Sequence, residues 1–137
     1  MKTLKLLFLF LIISLTGISQ SWSPGRMIQL KRISSAVISA DGKRVAYTVS
    51  IPIMEGEKSE FLTNVWIAST DGSMNRLFTF GEKSCSNIRF SPDSKFLTFT
   101  FSRDGNAQIY IMHTDGGEAE KITSQKNDVG IYGWPSR

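Results

Sequence analysis

Two stretches of this chain are copies of one another, and that duplication constrains the fold more than any other feature. The first copy runs Ser39-Ala40-Asp41-Gly42-Lys43-Arg44-Val45-Ala46-Tyr47-Thr48 and resumes at Asn64-Val65-Trp66-Ile67-Ala68-Ser69-Thr70-Asp71-Gly72. The second runs Ser91-Pro92-Asp93-Ser94-Lys95-Phe96-Leu97-Thr98-Phe99-Thr100 and resumes at Ala107-Gln108-Ile109-Tyr110-Ile111-Met112-His113-Thr114-Asp115-Gly116. The early halves are offset by 52 residues and the later halves by 44, so the first copy carries about eight extra residues around 52–59 (PIMEGEKS). A period in the low-to-mid forties is that of a four-stranded propeller blade, a unit that buries its apolar surface only against a neighbour.

The local patterns are those of strands. Leu97, Phe99 and Phe101 alternate with Phe96, Thr98 and Thr100, and Val45, Tyr47 and Val49 alternate with Ala46, Thr48 and Ser50. A period of two puts each set on its own sheet face. Both faces are fairly apolar, as stacked blades require. Asp-Gly pairs at 41–42, 71–72, 104–105 and 115–116 punctuate the runs, because glycine enters positive φ at no steric cost and aspartate tolerates it. The expected strands of blade one are 33–39, 44–50, 62–69 and 75–79. Those of blade two are 87–91, 95–101, 107–113 and 120–123, and 129–134 opens a third blade. The fold class is all-β, a partial β-propeller.

Ahead of the repeats stands a different kind of segment. Lys2 and Lys5 form a positive head, Leu6 to Ile13 is an uninterrupted apolar run, and Gly17 and Ser19 are small. This is the layout of a cleavable signal peptide at 1–19, with the mature chain beginning at Gln20. A spanning helix takes roughly 20 apolar residues, and this run is far shorter, so the expected product is exported, periplasmic or extracellular, without a stable membrane anchor. The divisions are then a lead-in at 20–32, blade one at 33–80, blade two at 81–126 and the start of blade three at 127–137. Without Lys2 and Lys5 the 16 basic residues fall to 14 against 12 acidic. No basic stripe tracks a phosphate backbone, so nucleic acid is not an expected partner.

The run Phe90-Ser91-Pro92-Asp93, with Lys95, Leu97 and Phe99, then Ser102-Arg103-Asp104-Gly105, Gln108-Ile109-Tyr110-Ile111, Asp115-Gly116-Gly117 and Lys121-Ile122-Thr123, resembles the TolB-type (WD-like) propeller repeat. Blade one departs from it at Ala40, in place of proline, and at Ser73, in place of a second glycine; blade two departs at Ser94, in place of glycine. The entry Met27-Ile28-Gln29-Leu30-Lys31-Arg32-Ile33-Ser34 and the long first-blade insertion before Asn64-Val65-Trp66-Ile67 are similar to acylaminoacyl-peptidase-like members of the prolyl oligopeptidase family. That resemblance implies a propeller that filters peptide substrates for a C-terminal α/β-hydrolase domain with a Ser-Asp-His triad. The hydrolase nucleophile sits in a Gly-x-Ser-x-Gly turn, and none occurs in the 137 residues. No catalytic, cofactor or metal residue is therefore assigned to this chain.

Two blades and one strand do not close a ring, so the chain is expected to be a fragment, with a self-assembling half-propeller as the other arrangement. A non-catalytic TolB-like propeller that binds a cell-envelope protein is the alternative function.

The remaining chemistry-bearing residues have structural readings. His113, the only histidine, stands at a strand end where the other copy has Ser69. Cys85, the only cysteine, excludes an internal disulfide and reads as a partly buried thiol beside a strand. Asp104-Gly105-Asn106 clusters oxygen ligands, but a calcium loop needs more of them at fixed spacing. Trp22, Trp66 and Trp134 read as blade packing. The acidic insertion Ile53-Met54-Glu55-Gly56-Glu57-Lys58-Ser59-Glu60 reads as a solvated hairpin, with a binding face as the competing role.

Overall fold

The computed structural model describes residues 30–55, 58–103 and 105–135. The expected signal peptide, Trp22, most of the lead-in and Asp104 lie outside the described residues. Eight strands form two four-stranded antiparallel sheets: β1 (Arg32–Ile38), β2 (Arg44–Glu55), β3 (Lys58–Ser69) and β4 (Asn75–Leu77), then β5 (Cys85–Phe90), β6 (Phe96–Phe101), β7 (Gln108–His113) and β8 (Glu120–Lys121). Each sheet runs in chain order, β1-β2-β3-β4 and β5-β6-β7-β8.

The repeat is visible down to individual hydrogen bonds. At the turn that opens each second strand, Ser39 Oγ donates to Asp41 Oδ1 at 2.6 Å and accepts from Arg44 N at 2.9 Å. Ser91 Oγ does the same with Asp93 at 2.5 Å and Phe96 N at 2.9 Å. The turn needs a left-handed residue, and Gly42 supplies it at φ 70°. Ser94 occupies the same place at φ 61°, a conformation that costs an L-residue roughly 1–2 kcal/mol. Its hydroxyl accepts a hydrogen bond from Asp41 N of the other sheet at 3.1 Å. The glycine missing from the second copy is thus replaced by a residue that ties the two turns together.

Both first strands carry an irregularity, between Ile33 and Ser35 and between Ser86 and Arg89. Both fourth strands end two residues earlier than the hydrophobic pattern suggests, for one reason. Thr79 Oγ1 accepts the N–H of Val65 at 2.9 Å, and Thr123 Oγ1 accepts that of Ile109 at 2.8 Å. A hydroxyl has taken the next rung of each ladder.

Two expectations need correction. The second and third strands of blade one do not stop at the expected bounds of 50 and 62: β2 and β3 stay paired from Ser50↔Thr63 to Glu55↔Lys58, so the insertion, expected as a hairpin, is a ribbon continuing beyond the four-stranded part of the sheet. Alternation simply persists through Ile51, Ile53 and Leu62. Residues 129–134, expected as a strand, form none. Val129 N donates to Ala107 O at 2.7 Å and Tyr132 Oη to Asn87 O at 2.7 Å, but no strand among the described residues lies alongside to make a ladder.

The core lies between the sheets. Ala46, Val65 and Ile67 of the first sheet cluster with Ile88, Leu97, Phe99, Tyr110 and Met112 of the second. Phe99 is 1% exposed and stacks on Tyr110 at a centroid distance of 6.3 Å. In the first sheet Tyr47 and Trp66 hold the equivalent places and stack in the same way at 6.4 Å. Their face, however, is turned away from the second sheet.

Candidate functional site

Three surfaces gather the chemistry-bearing residues. The first joins the ends of the two sheets. Arg44 opens β2, and its guanidinium donates to the Thr114 hydroxyl and, at 2.5 Å, to Asp115 Oδ1 in the turn after β7. Thr114 Oγ1 in turn donates to the carbonyls of Ser94 and Lys95 at 3.2 and 3.1 Å, and Arg76 reaches the Thr114 carbonyl at 3.4 Å. His113 belongs to this cluster. Its Nδ1 accepts the Asp115 N–H at 3.2 Å, and its ring meets the edge of Phe96 at 5.3 Å. His113 is therefore at the end of β7, as expected, and its contacts are to a turn aspartate and a phenylalanine. A general base needs a nucleophile within hydrogen-bond reach.

The turn aspartates are held ionised by their surroundings. Asp41 and Asp93 have carboxyls below the usual range, because Ser39 and Ser91 hydroxyls donate to them and the Lys43 and Lys95 N–H groups follow. Asp71 falls to about 2, chiefly through the N–H and hydroxyl of Ser73. All three are exposed, so these are turn-forming carboxylates. The substitution Ser73, which breaks the repeat consensus, is what supplies Asp71 with its second donor.

The second surface is a polar groove where the first strands of the two sheets lie side by side, lined by Ser34, Thr48, Ser84, Ser86, Asn87 and Arg89 among others. Hydroxyls pair within each sheet beside it, Ser34 with Thr48 at 2.9 Å in the first and Ser86 with Thr100 at 2.7 Å in the second. Asn87 sits at φ 52°, a region that asparagine enters more readily than most residues. Cys85 closes the floor. It is buried, donates from Sγ to Thr79 Oγ1 at 3.5 Å, and burial pushes its thiol up to about 11. A nucleophilic cysteine has a depressed pKa in an electropositive, accessible setting, and Cys85 has the opposite.

The third surface is the β2–β3 ribbon with the outward face of the first sheet. Met54 and Phe61 are exposed, and the Arg32 guanidinium lies 5.5 Å from the Phe61 ring centroid. Trp66 lines a shallow concavity of about 490 Å³ with Ile33, Tyr47, Val49 and Leu77. Trp134 rests beside Pro92 and Phe96 on the second sheet. Among the described residues, no group of three His, Cys, Asp or Glu side chains could hold a metal ion.

Over 84 residues the chain is 43% identical to an uncharacterised peptidase, YuxL, of Bacillus subtilis, which covers 61% of this chain and 12% of the relative. It is 26% identical over 108 residues to dipeptidyl-peptidase 5 of Porphyromonas endodontalis, covering 79% of this chain and 15% of that protein. The chain is thus similar in sequence to two proteins named as peptidases. It spans about an eighth of the length of the curated relatives it matches. Its fold matches a solved structure of acylaminoacyl peptidase in complex with Z-Gly-Gly-Phe-chloromethyl ketone, with a TM-score of 0.63 at 21% identity, over 77% of this chain and 16% of that one. No family model matches.

Sequence reasoning missed the Arg44–Thr114–Asp115 cluster. Its partners are 71 residues apart and Arg44 has no counterpart in the second copy, where Phe96 stands. The one available signal was Thr-Asp-Gly, which closes the third strand of both copies.

Proposed function

We infer that this segment supplies the opening blades of a propeller that gates substrate access to an exported serine peptidase, with peptide hydrolysis carried out by an α/β-hydrolase domain encoded elsewhere in a longer polypeptide. The observation that carries this reading is the 43% identity over 84 residues to a peptidase. The repeated four-stranded sheets and their likeness to acylaminoacyl peptidase support it. In this role the blades bind no cofactor and perform no bond cleavage. Stacked sheets without exposed edges give a rigid wall, and such a wall selects substrates by size and extension.

The test begins with the reading frame past Arg137, where further blades and a Gly-x-Ser-x-Gly turn are expected. The encoded protein should label with a fluorophosphonate and hydrolyse short peptides while sparing casein. Equal cleavage of casein and short peptides would remove the gating role, and a frame that closes without a hydrolase would remove the peptidase. Export is tested by N-terminal sequencing of the mature product. A start at Gln20 supports it, and an intact Met1 in the cytoplasm sinks it.

A further inference from the structure

Among the described residues the first sheet leaves one face open, and the chain itself contains a template for what covers such a face. Sheet one presents Ile33, Tyr47, Val49, Ile51, Trp66 and Leu77 outward, with Ile33 68% exposed. The equivalent face of sheet two, built on the stacked Phe99 and Tyr110, is buried against Ala46, Val65 and Ile67 of sheet one. A polar clamp borders that buried contact: Arg44, from the sheet offering the small residues, grips Thr114 and Asp115 of the sheet offering the aromatics.

Sheet one repeats the receiving half of the clamp. Thr70 N donates to Lys43 O at 3.0 Å and Thr70 Oγ1 to Gly42 O at 3.0 Å. Thr114 makes the same bonds, to Lys95 O at 2.8 Å and Ser94 O at 3.2 Å. Asp71 follows Thr70 as Asp115 follows Thr114. Among the described residues, no cation is paired with Asp71.

We propose that the open face of sheet one is covered by another four-stranded blade of the longer polypeptide, one that offers small β-branched residues and an arginine, opening its second strand, to Thr70 and Asp71. This rests on the peptidase reading only in taking that blade from further along the same polypeptide. A second copy of this chain fits poorly as the occupant. Its candidate face carries Phe96 where Arg44 stands in the template, and Tyr132 and Trp134 already lie over that face. The clamp supplies register and choice of partner more than affinity, since exposed ion pairs contribute little to stability and much to specificity.

Hydroxyl-radical footprinting of Tyr47 and Trp66 by mass spectrometry tests this. In the longer polypeptide both rings should be protected, and Asp71→Arg should raise their labelling severalfold. Replacing the partner blade's arginine by aspartate in the Asp71→Arg background should restore protection. In the 137-residue chain the rings should label freely at every concentration. Protection that grows with concentration of this chain would overturn the proposal in favour of self-assembly. Unchanged protection in the Asp71→Arg polypeptide would overturn the clamp. Neither readout depends on a Gly-x-Ser-x-Gly turn, so a failed peptidase reading shows separately.

Discussion

Ser94 and Cys85 show how a single side chain is set by its place in the repeat. Ser94 accepts a left-handed backbone, φ 61°, in exchange for a hydrogen bond from Asp41 N of the other sheet. Removing the hydroxyl while keeping a Cβ leaves the strain without its compensation. Ser94→Ala should therefore be less stable than Ser94→Gly by about 1 kcal/mol, as read from urea denaturation midpoints. Cys85 has its thiol raised to about 11 by burial. A raised folded-state value means that stability is intact below the unfolded value near 9 and declines as pH rises towards about 11. The native thiol should react with a disulfide reagent at pH 8 on the order of 100-fold more slowly than in denaturant, two pKa units of lost thiolate. A Cys85→Ala variant should lose the alkaline decline, which thermal melts between pH 8 and 11 would register.

At the scale of strands, the hydroxyl that ends each fourth strand is the device to test. Thr79 is nearly buried, accepts the Val65 N–H and receives the Cys85 thiol. Thr79→Val preserves shape and orphans a buried donor, which costs about 1–3 kcal/mol. Equilibrium unfolding should show that loss, with a smaller one for Thr123→Val, whose site is more open. These same threonines explain why the strands end at Leu77 and Lys121 and not at residues 79 and 123. Hydrophobic alternation reports which residues could lie in a ladder, and it is blind to a side chain that takes a rung. Most of the remaining fold was legible because period-two runs and Asp-Gly turns are local signals. The hairpin at the insertion was legible, but the length of its strands through Ser50–Thr63 was not, since Pro52 and the charges around Glu55 suggest an earlier end, whereas strand continuation there depends on cross-strand pairing. Residues 129–134 erred the other way, a strand pattern without a neighbouring strand. For the candidate surfaces, the strand-end position of His113 followed from sequence, whereas Cys85, expected as a partly buried thiol beside a strand, is 1% exposed and opens β5 itself. The clamp between Arg44 and Asp115 did not, because it belongs to the contact between blades and to neither blade alone.

Across the whole molecule, two kinds of contact hold the sheets together, and their magnitudes differ enough to be told apart. The polar kind includes the Arg44–Asp115 pair, whose side chains are 30% and 66% exposed. In such a setting a double-mutant cycle, Arg44→Ala against Asp115→Ala, should return about 0.2–1 kcal/mol of coupling. At about 1 M salt, where the screening length falls to about 3 Å, most of that coupling should vanish. The apolar contact is Phe99, wedged beside Tyr110 and Phe101 against the first sheet. Phe99→Ala should cost about 3–5 kcal/mol through lost burial and the cavity left behind, a large share of the 5–15 kcal/mol typical of a folded domain. Urea unfolding in low and high salt then separates the two. If burial holds the sheets, the Phe99→Ala loss persists at both ionic strengths while the charge coupling fades. A chain whose sheets came apart in salt with Phe99 intact would show instead that the clamp holds the blades together and that the aromatic contact only follows from it.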